Sequence, residues 1–218
     1  LETYEHQKQF IENASHELQT PLALATSKFE LLLEKGDIPG TEAESLAQIL
    51  GIIERLVRLN KSLLLLTKIE NKQFFDKQSI SINKIVAQTV KDLEEFAQFK
   101  DVKIVVNEIN DLNVQMDLSL ANIIVSNLVK NALFHNVSNG IVAIEITANR
   151  IEVSNTGKME ELNAQKIFSR FYKSTDKEAM GTGLGLAIVK AICGMYGFDV
   201  TYRFENDKHC FNVRFNAQ

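Results

Sequence analysis

Cysteine and proline are scarce in this 218-residue chain, with two of each: Cys193 and Cys210, Pro21 and Pro39. Two cysteines give neither the ligand count nor the close spacing of a metal site, and they read as reduced core residues. No apolar run approaches the ~20 residues that a membrane-spanning helix needs. The opening LETYEHQKQF lacks the charged-then-apolar layout of a signal peptide. It has the character of a helix interior, the expectation for a piece cut from something longer. Nor does one charge dominate: the net charge is −4 with acids and bases interspersed, which supports neither a nucleic-acid surface nor a polybasic membrane anchor. What remains, 45% apolar and 24% charged residues, is the composition of a packed protein rather than a disordered one. No internal repeat or low-complexity tract interrupts it, and the length suits one large or two modest domains.

Two helical stripes come first. Phe10, Ala14, Leu18, Leu22, Ala25, Phe29 and Leu32 recur in steps of three and four, one apolar face over residues 1–34. KGDIPG stops that helix, with Gly36 suited to its C-terminus and Pro39-Gly40 to a turn. TEAE then reads as a capping box in which Thr41 caps and Glu44 reaches back. The second stripe, Leu46, Ile49, Ile53, Leu56 and Leu63, fades near Glu70. So short a loop makes the two helices antiparallel. A hairpin cannot bury both stripes alone, so it packs on the rest of the chain or pairs with a second copy as a four-helix bundle. The long stripes and the self-sufficient remainder favour the homodimer.

From about residue 73 the pattern changes. SISI is a short strand, and Asn83 is the expected cap of a helix carrying Ile85, Val86, Val90, Leu93 and Phe96. VKIVV and NVQM are strand candidates around a turn at Asn110-Asp111, and an apolar helix spans roughly residues 118–135. GIVAIEITANRIEVSN reads as a hairpin turning at Asn149-Arg150. An irregular segment covers residues 157–182, a helix runs from Leu184 to Tyr196, and a last hairpin turns near Asn206-Asp207. The expectation is an α+β chain: a helical hairpin over residues 1–72, then an α/β sandwich over 73–218 with one sheet covered by helices.

Three stretches carry chemistry. GTGLGLAIV, residues 181–189, runs straight into an amphipathic helix. Its free backbone N–H groups then face an anion, or it is simply a flexible hinge. On the 118–135 helix, Asn127, Asn131 and His135 share one face at spacings of four. Asparagine is a poor helix former, so the stripe is either solvent-facing or a set of hard amide oxygens suited to Mg²⁺. ENASHELQTPLALA places His16 beside an acid and five residues ahead of Pro21, inside one continuous stripe. A proline there removes the bond to the Glu17 carbonyl, which predicts a bend within a turn of His16.

SHELQTPL, NLVKNALFHN, VSNTG, IFSRFYKS and GTGLGL follow one another in an order that resembles the phosphoacceptor, asparagine, first glycine, phenylalanine and second glycine boxes of sensor histidine kinases. The resemblance spans nearly the whole chain. It implies a dimerisation and phosphotransfer hairpin followed by a Bergerat-type ATP-binding domain, of the kind shared with gyrase and mismatch-repair ATPases. It further implies His16 as the phosphoacceptor, Glu17 as the partner for its proton, and Thr20, four residues on, as the residue orienting water for dephosphorylation of a partner. Being adjacent to His16, Glu17 lies around the helix from it and needs a particular rotamer or a shift on docking. Asn131 would hold Mg²⁺ with Asn127 assisting, and His135 belongs to the same box. Arg170 would stabilise charge on the transferring phosphoryl group. Gly157, Gly181, Thr182, Gly183, Leu184 and Gly185 would line the ATP site, with Lys173 either a phosphate contact or a solvated lysine. Phe168 and Phe171 are expected to anchor the segment as core residues.

Three positions depart from the family pattern. Asn155 stands where an acid usually accepts a bond from the adenine amino group; its oxygen can still accept, without charge. Met159 replaces the second glycine of that box, and Phe134 takes the place of a basic residue. Altered or weakened ATP binding is the expectation. The activity implied is ATP-dependent autophosphorylation of His16 and transfer to a response-regulator aspartate, with phosphatase activity beside it. The alternatives are a non-catalytic dimeric signalling module and a gyrase-like nucleotide clamp, the latter leaving SHELQTPL unexplained. The parent is expected to be anchored in the bacterial inner membrane through upstream segments, with this portion cytoplasmic.

Overall fold

The computed structural model describes residues 18, 20–34, 40–71, 73–74, 76–157, 160–172 and 182–216, and within them helical backbone runs through Pro21, since Leu18 and Thr20 are already helical. The bend expected near Glu17 and the turn around Gly36 and Pro39 lie outside the described residues. The chain divides into two units, Leu1–Asn71 and Lys72–Gln218.

In the first unit, α1 runs through residues 20–34 and α2 is Gly40–Glu70. Thr41 is already helical, and its carbonyl accepts a bond from Ser45 Oγ at 3.0 Å. A capping residue needs extended backbone, so Thr41 is not the cap that TEAE suggested. Leu22, Ala25, Phe29 and Leu33 on α1, and Leu46, Leu50, Ile53 and Val57 on α2, are half-buried at the expected helical spacing. A second set of apolar side chains, Leu24, Leu31, Leu32, Ile49, Ile52 and Leu56, stays 41–60% exposed. Each helix therefore has more apolar surface than one partner helix covers.

The second unit runs β1 (Gln78–Ser81), α3 (Ile82–Asp92), α4 (Glu94–Phe99), β2 (Lys103–Glu108), β3 (Asn113–Met116), α5 (Leu118–Phe134), β4 (Ile141–Thr147), β5 (Arg150–Thr156), α6 (Gly185–Tyr196), β6 (Asp199–Glu205) and β7 (Lys208–Arg214). Five strands form a mixed sheet in the order β2-β4-β5-β7-β6, while β1 and β3 pair separately. β2 lies parallel to β4, and β3 antiparallel to β1. VKIVV and NVQM thus flank a turn without forming a hairpin.

Asn83 explains the split and corrects its assignment as a cap. Ser81 caps α3, accepting the Lys84 N–H at 3.4 Å. Asn83 sits inside the helix, and its amide clamps the β2–β3 turn. Nδ2 donates to Glu108 Oε2 at 2.9 Å and to the Asn110 carbonyl at 3.2 Å, while Oδ1 accepts the Leu112 N–H at 2.9 Å. The last hairpin turns as read: Asn206 and Asp207 have φ of 51° and 58°, the left-handed pair that a tight two-residue hairpin requires.

Ile151, Val153 and Asn155 of β5 and His209, Phe211 and Val213 of β7 are buried on one face, towards α5 and α6. Glu152 on the other face takes Arg203 through both oxygens, at 3.0 and 2.8 Å, as suits a solvated surface. α5 buries eight side chains, five of them Leu, Ile or Val at 0% exposure. Each such residue contributes about 1.5–3 kcal/mol, which holds a helix containing several asparagines in place.

Cys193 and Cys210 are free and buried. Burial pushes the Cys193 thiol up to about 12, with Asp199 adding to it, and burial also raises Cys210. At pH 8 the native Cys193 is thiolate in roughly one molecule in ten thousand. Thiol titration with a chromogenic disulfide is expected to find no rapidly reacting cysteine until the protein is unfolded; a fast native thiol contradicts this packing.

Candidate functional site

The ends of β5 and α5 are joined by side-chain hydrogen bonds. Thr156 Oγ1 donates to Asn136 Oδ1 at 2.6 Å and accepts the Ile141 N–H at 2.9 Å. Asn136 Nδ2 in turn donates to the Ile141 carbonyl at 3.2 Å. This knot brings the asparagine-bearing helix to the end of the strand that carries Asn155 and Gly157.

Asn155 is 1% exposed, and its Nδ2 donates to the Thr156 carbonyl at 2.8 Å. A carbonyl only accepts, so the nitrogen must face it and the oxygen must point elsewhere. There Oδ1 is buried and has no partner among the described residues. An unsatisfied buried acceptor costs about 1–3 kcal/mol, recovered when a ligand N–H reaches it. Next along the chain, a Cβ on Gly157 would lie 2.8 Å from His209 Cδ2 and 3.3 Å from the His135 carbonyl. His135, exposed just past α5, therefore reaches this glycine through its backbone.

On its other flank α5 meets the start of α6. Asn127 Nδ2 donates to the Ile123 carbonyl at 2.9 Å, and its Oδ1 would stand 2.9 Å from a Cβ on Gly185. Asn131, half-buried, lies one turn further along α5. Leu184, fully buried, occupies the N-cap position of α6, and no side chain caps it among the described residues. The first N–H groups and the positive end of the helix dipole are left for an anion. Thr182 and Gly183 lead in, half-buried. Gly183 has φ of 72°, and a Cβ there would lie 3.0 Å from the Phe171 backbone, so only glycine fits.

Residues 160–172 form an irregular loop fastened at three points. The Leu162 N–H donates to Tyr202 Oη at 3.1 Å, and the Phe171 N–H donates to the Gly183 carbonyl at 2.9 Å. Phe168 is buried edge-on to Phe211, with ring centroids 6.4 Å apart. Phe168 is the core anchor expected of it; Phe171 is not. Phe171 is 53% exposed with φ of 61°, a conformation bulky side chains avoid, and it serves through its backbone. Arg170 lies exposed between them. Phe134, in place of a basic residue, packs its ring 4.9 Å from that of Phe96.

His16, Glu17, Met159, Lys173 and Gly181 lie outside the described residues, and Thr20 is exposed on α1. Tyr202, His209, Asn136 and Thr156 were not singled out by sequence. The place of His209 depends on β5 pairing with β7, which sets it opposite Asn155 and which no local pattern announces. A cleft of about 310 Å³ bounded by Val114, Gln115, Asn149 and Phe215 sits by the β4–β5 turn, at the other end of β5, and no titratable side chain lines it.

The residues fit a purine nucleotide: a buried acceptor, glycines allowing close approach, and an uncapped helix start. They also fit Mg²⁺. Asn127 and Asn131 offer hard oxygens, and no group of three His, Cys, Asp or Glu among the described residues would hold a metal alone. An ion that keeps waters and phosphate oxygens as ligands suits that donor set.

Comparison with known proteins agrees. A family model described as His Kinase A (phospho-acceptor) domain matches residues 6–72, and one described as Histidine kinase-, DNA gyrase B-, and HSP90-like ATPase matches residues 116–217. The chain is 30% identical over 209 residues to the sensor histidine kinase WalK of Bacillus subtilis, covering 90% of this chain and 34% of that protein. It is 27% identical over 213 residues to the heme sensor protein HssS of Staphylococcus epidermidis, covering 94% and 46%. The solved catalytic domain of histidine kinase ThkA matches with a TM-score of 0.56 and 26% identity, over 65% of this chain and 95% of that domain. The chain belongs to the sensor histidine kinases of two-component systems, as the five boxes implied. It spans less than half the length of these curated relatives.

Gly185→Ala tests the α5–α6 contact. The added methyl meets a side-chain end that can swing, and alanine favours a helix over glycine by roughly 0.5–1 kcal/mol. Melting temperature is expected to hold or rise while ADP affinity falls about tenfold. Unchanged affinity contradicts Asn127 and Gly185 as one wall of the site.

Proposed function

We propose that this chain autophosphorylates His16 from ATP and passes the phosphoryl group to an aspartate of a response-regulator receiver domain. The observation that carries the nucleotide half is the buried Oδ1 of Asn155, without a partner among the described residues, beside the glycine-lined approach to α6. Asn155 would accept the adenine amino group with Gly157 against the base, while Thr182, Gly183, Leu184 and Gly185 would follow the phosphates, with Gly181, Lys173 and His135 as further contacts of the nucleotide. Asn131, assisted by Asn127, would hold Mg²⁺, which when bound neutralises charge on phosphate oxygens. Arg170 would stabilise charge on the phosphoryl group in flight.

On the hairpin, an imidazole nitrogen of His16 attacks the γ-phosphorus, the bond to the β-phosphate oxygen breaks, and ADP leaves. Glu17 takes up or orients the proton on the other nitrogen. The phosphoryl group then moves to the receiver aspartate, regenerating neutral histidine, and Thr20 orients water for the reverse duty of dephosphorylation. The exposed apolar set on α1 and α2 supports pairing with a second copy of the chain as a four-helix bundle.

No described helix is long and apolar enough to cross a membrane. In our reading the chain is the cytoplasmic portion of a longer sensor anchored in the inner membrane by other segments. The competing reading is a non-catalytic dimeric module, favoured by the neutral Asn155 and by Phe134 packing on Phe96.

Incubation with labelled ATP and Mg²⁺ is expected to yield an acid-labile, alkali-stable phosphoprotein, lost in His16→Ala. A label that survives the substitution overturns the assignment; no label together with no measurable ATP binding favours the scaffold.

A further inference from the structure

A buried histidine lies directly behind the base end of the site, and the mechanism above leaves it unused. His209 is 6% exposed and stands opposite Asn155 across the β5–β7 ladder. Its ring is wedged against Phe204, centroids 5.0 Å apart, and its Cδ2–Nε2 edge backs Gly157, where a Cβ would come within 2.8 Å of Cδ2 and 3.1 Å of Nε2. Its opposite edge carries Nδ1, 2.9 Å from Tyr202 Oη.

Tyr202 Oη accepts the Leu162 N–H at 3.1 Å and shares a second hydrogen bond with His209 Nδ1, whose direction follows the tautomer of the ring. The three groups form a chain: Leu162 N–H to Tyr202 Oη, Tyr202 Oη to His209 Nδ1, and the far edge of the imidazole against Gly157. Tyr202 cannot drift, because its ring packs on Phe211 at 5.2 Å, the same ring that holds Phe168. Leu162 and Phe168 belong to the loop that carries Arg170.

We propose that His209 and Tyr202 are positioning residues that couple the base end of the site, Asn155 to Gly157, to the Arg170 loop. A base seated against Gly157 fixes the imidazole plane, the imidazole fixes the tyrosine hydroxyl, and the hydroxyl holds Leu162 and the loop behind it. The proposal rests on the nucleotide reading of this site, and its tests are chosen to fail separately from it.

The variants divide the chain at its joints. Tyr202→Phe keeps the ring packing and removes the tether. His209→Asn keeps an amide able to donate or accept near the Nδ1 position and removes the edge behind Gly157. His209→Ala removes both. In the full chain without nucleotide, amide hydrogen exchange at Leu162 is expected to quicken about tenfold in Tyr202→Phe and His209→Ala, and to stay near wild type in His209→Asn. With nucleotide, Tyr202→Phe is expected to bind ADP within about twofold of wild type yet autophosphorylate about tenfold more slowly. His209→Asn shows the converse, weaker ADP binding with a nearly normal rate at saturation.

Exchange that quickens in Tyr202→Phe alone removes His209 from the relay. Lower melting temperatures with Kd and rate unchanged reduce both residues to structural roles. A wild-type chain that binds no nucleotide sinks the reading of the site, while the exchange measurement still decides whether the relay exists.

Discussion

The arrangement around Asn155 follows from one constraint: an amide has two different ends, and only one can face a carbonyl. Because the Thr156 carbonyl takes the nitrogen, the oxygen is committed to the buried side, where no described residue satisfies it. Everything nearby keeps that atom in register. Thr156 is knotted to Asn136 at the end of α5, β7 presses His209 against the opposite side, and Gly157 leaves room for the imidazole. A carboxylate in this position would accept more strongly; the amide accepts less strongly but keeps its direction. In the proposed reading, the neutral residue would weaken recognition while keeping its geometry.

The two flanks of α5 divide the labour. One flank, through Asn127 and Gly185, meets the open helix start suited to phosphate. The other, through His135 and Asn136, meets the strand end suited to a base. A helix with several asparagines holds this position because eight of its side chains are buried. Its apolar face supplies the energy, which leaves the polar face free for chemistry.

Much of this was legible in the sequence, for physical reasons. Periods of three and four marked the long helices, and Asn206-Asp207 marked a turn that needs left-handed backbone. The ordered boxes identified the family. The misreadings have three separate causes. Asn83 looks like a cap by its position, but its amide spans to the β2–β3 turn. Thr41 looks like a cap by its type, but the helix already includes it. Phe171 looks like core by its size, but its backbone is what is used. Tyr202 and His209 carry no local signature, since His209 faces a strand partner more than fifty residues away in sequence and Tyr202 holds the Leu162 N–H forty residues before it.

Selectivity between six-amino and six-oxo purines shows whether the buried oxygen of Asn155 reads the base. Asn155 Oδ1 accepts a bond from an amino group and is left bare by a carbonyl, so inosine triphosphate should bind at least about tenfold more weakly than ATP, and Asn155→Leu should erase the difference. Equal affinity of the wild-type chain for the two nucleotides would contradict the account, because the buried oxygen would then not be where the base is read.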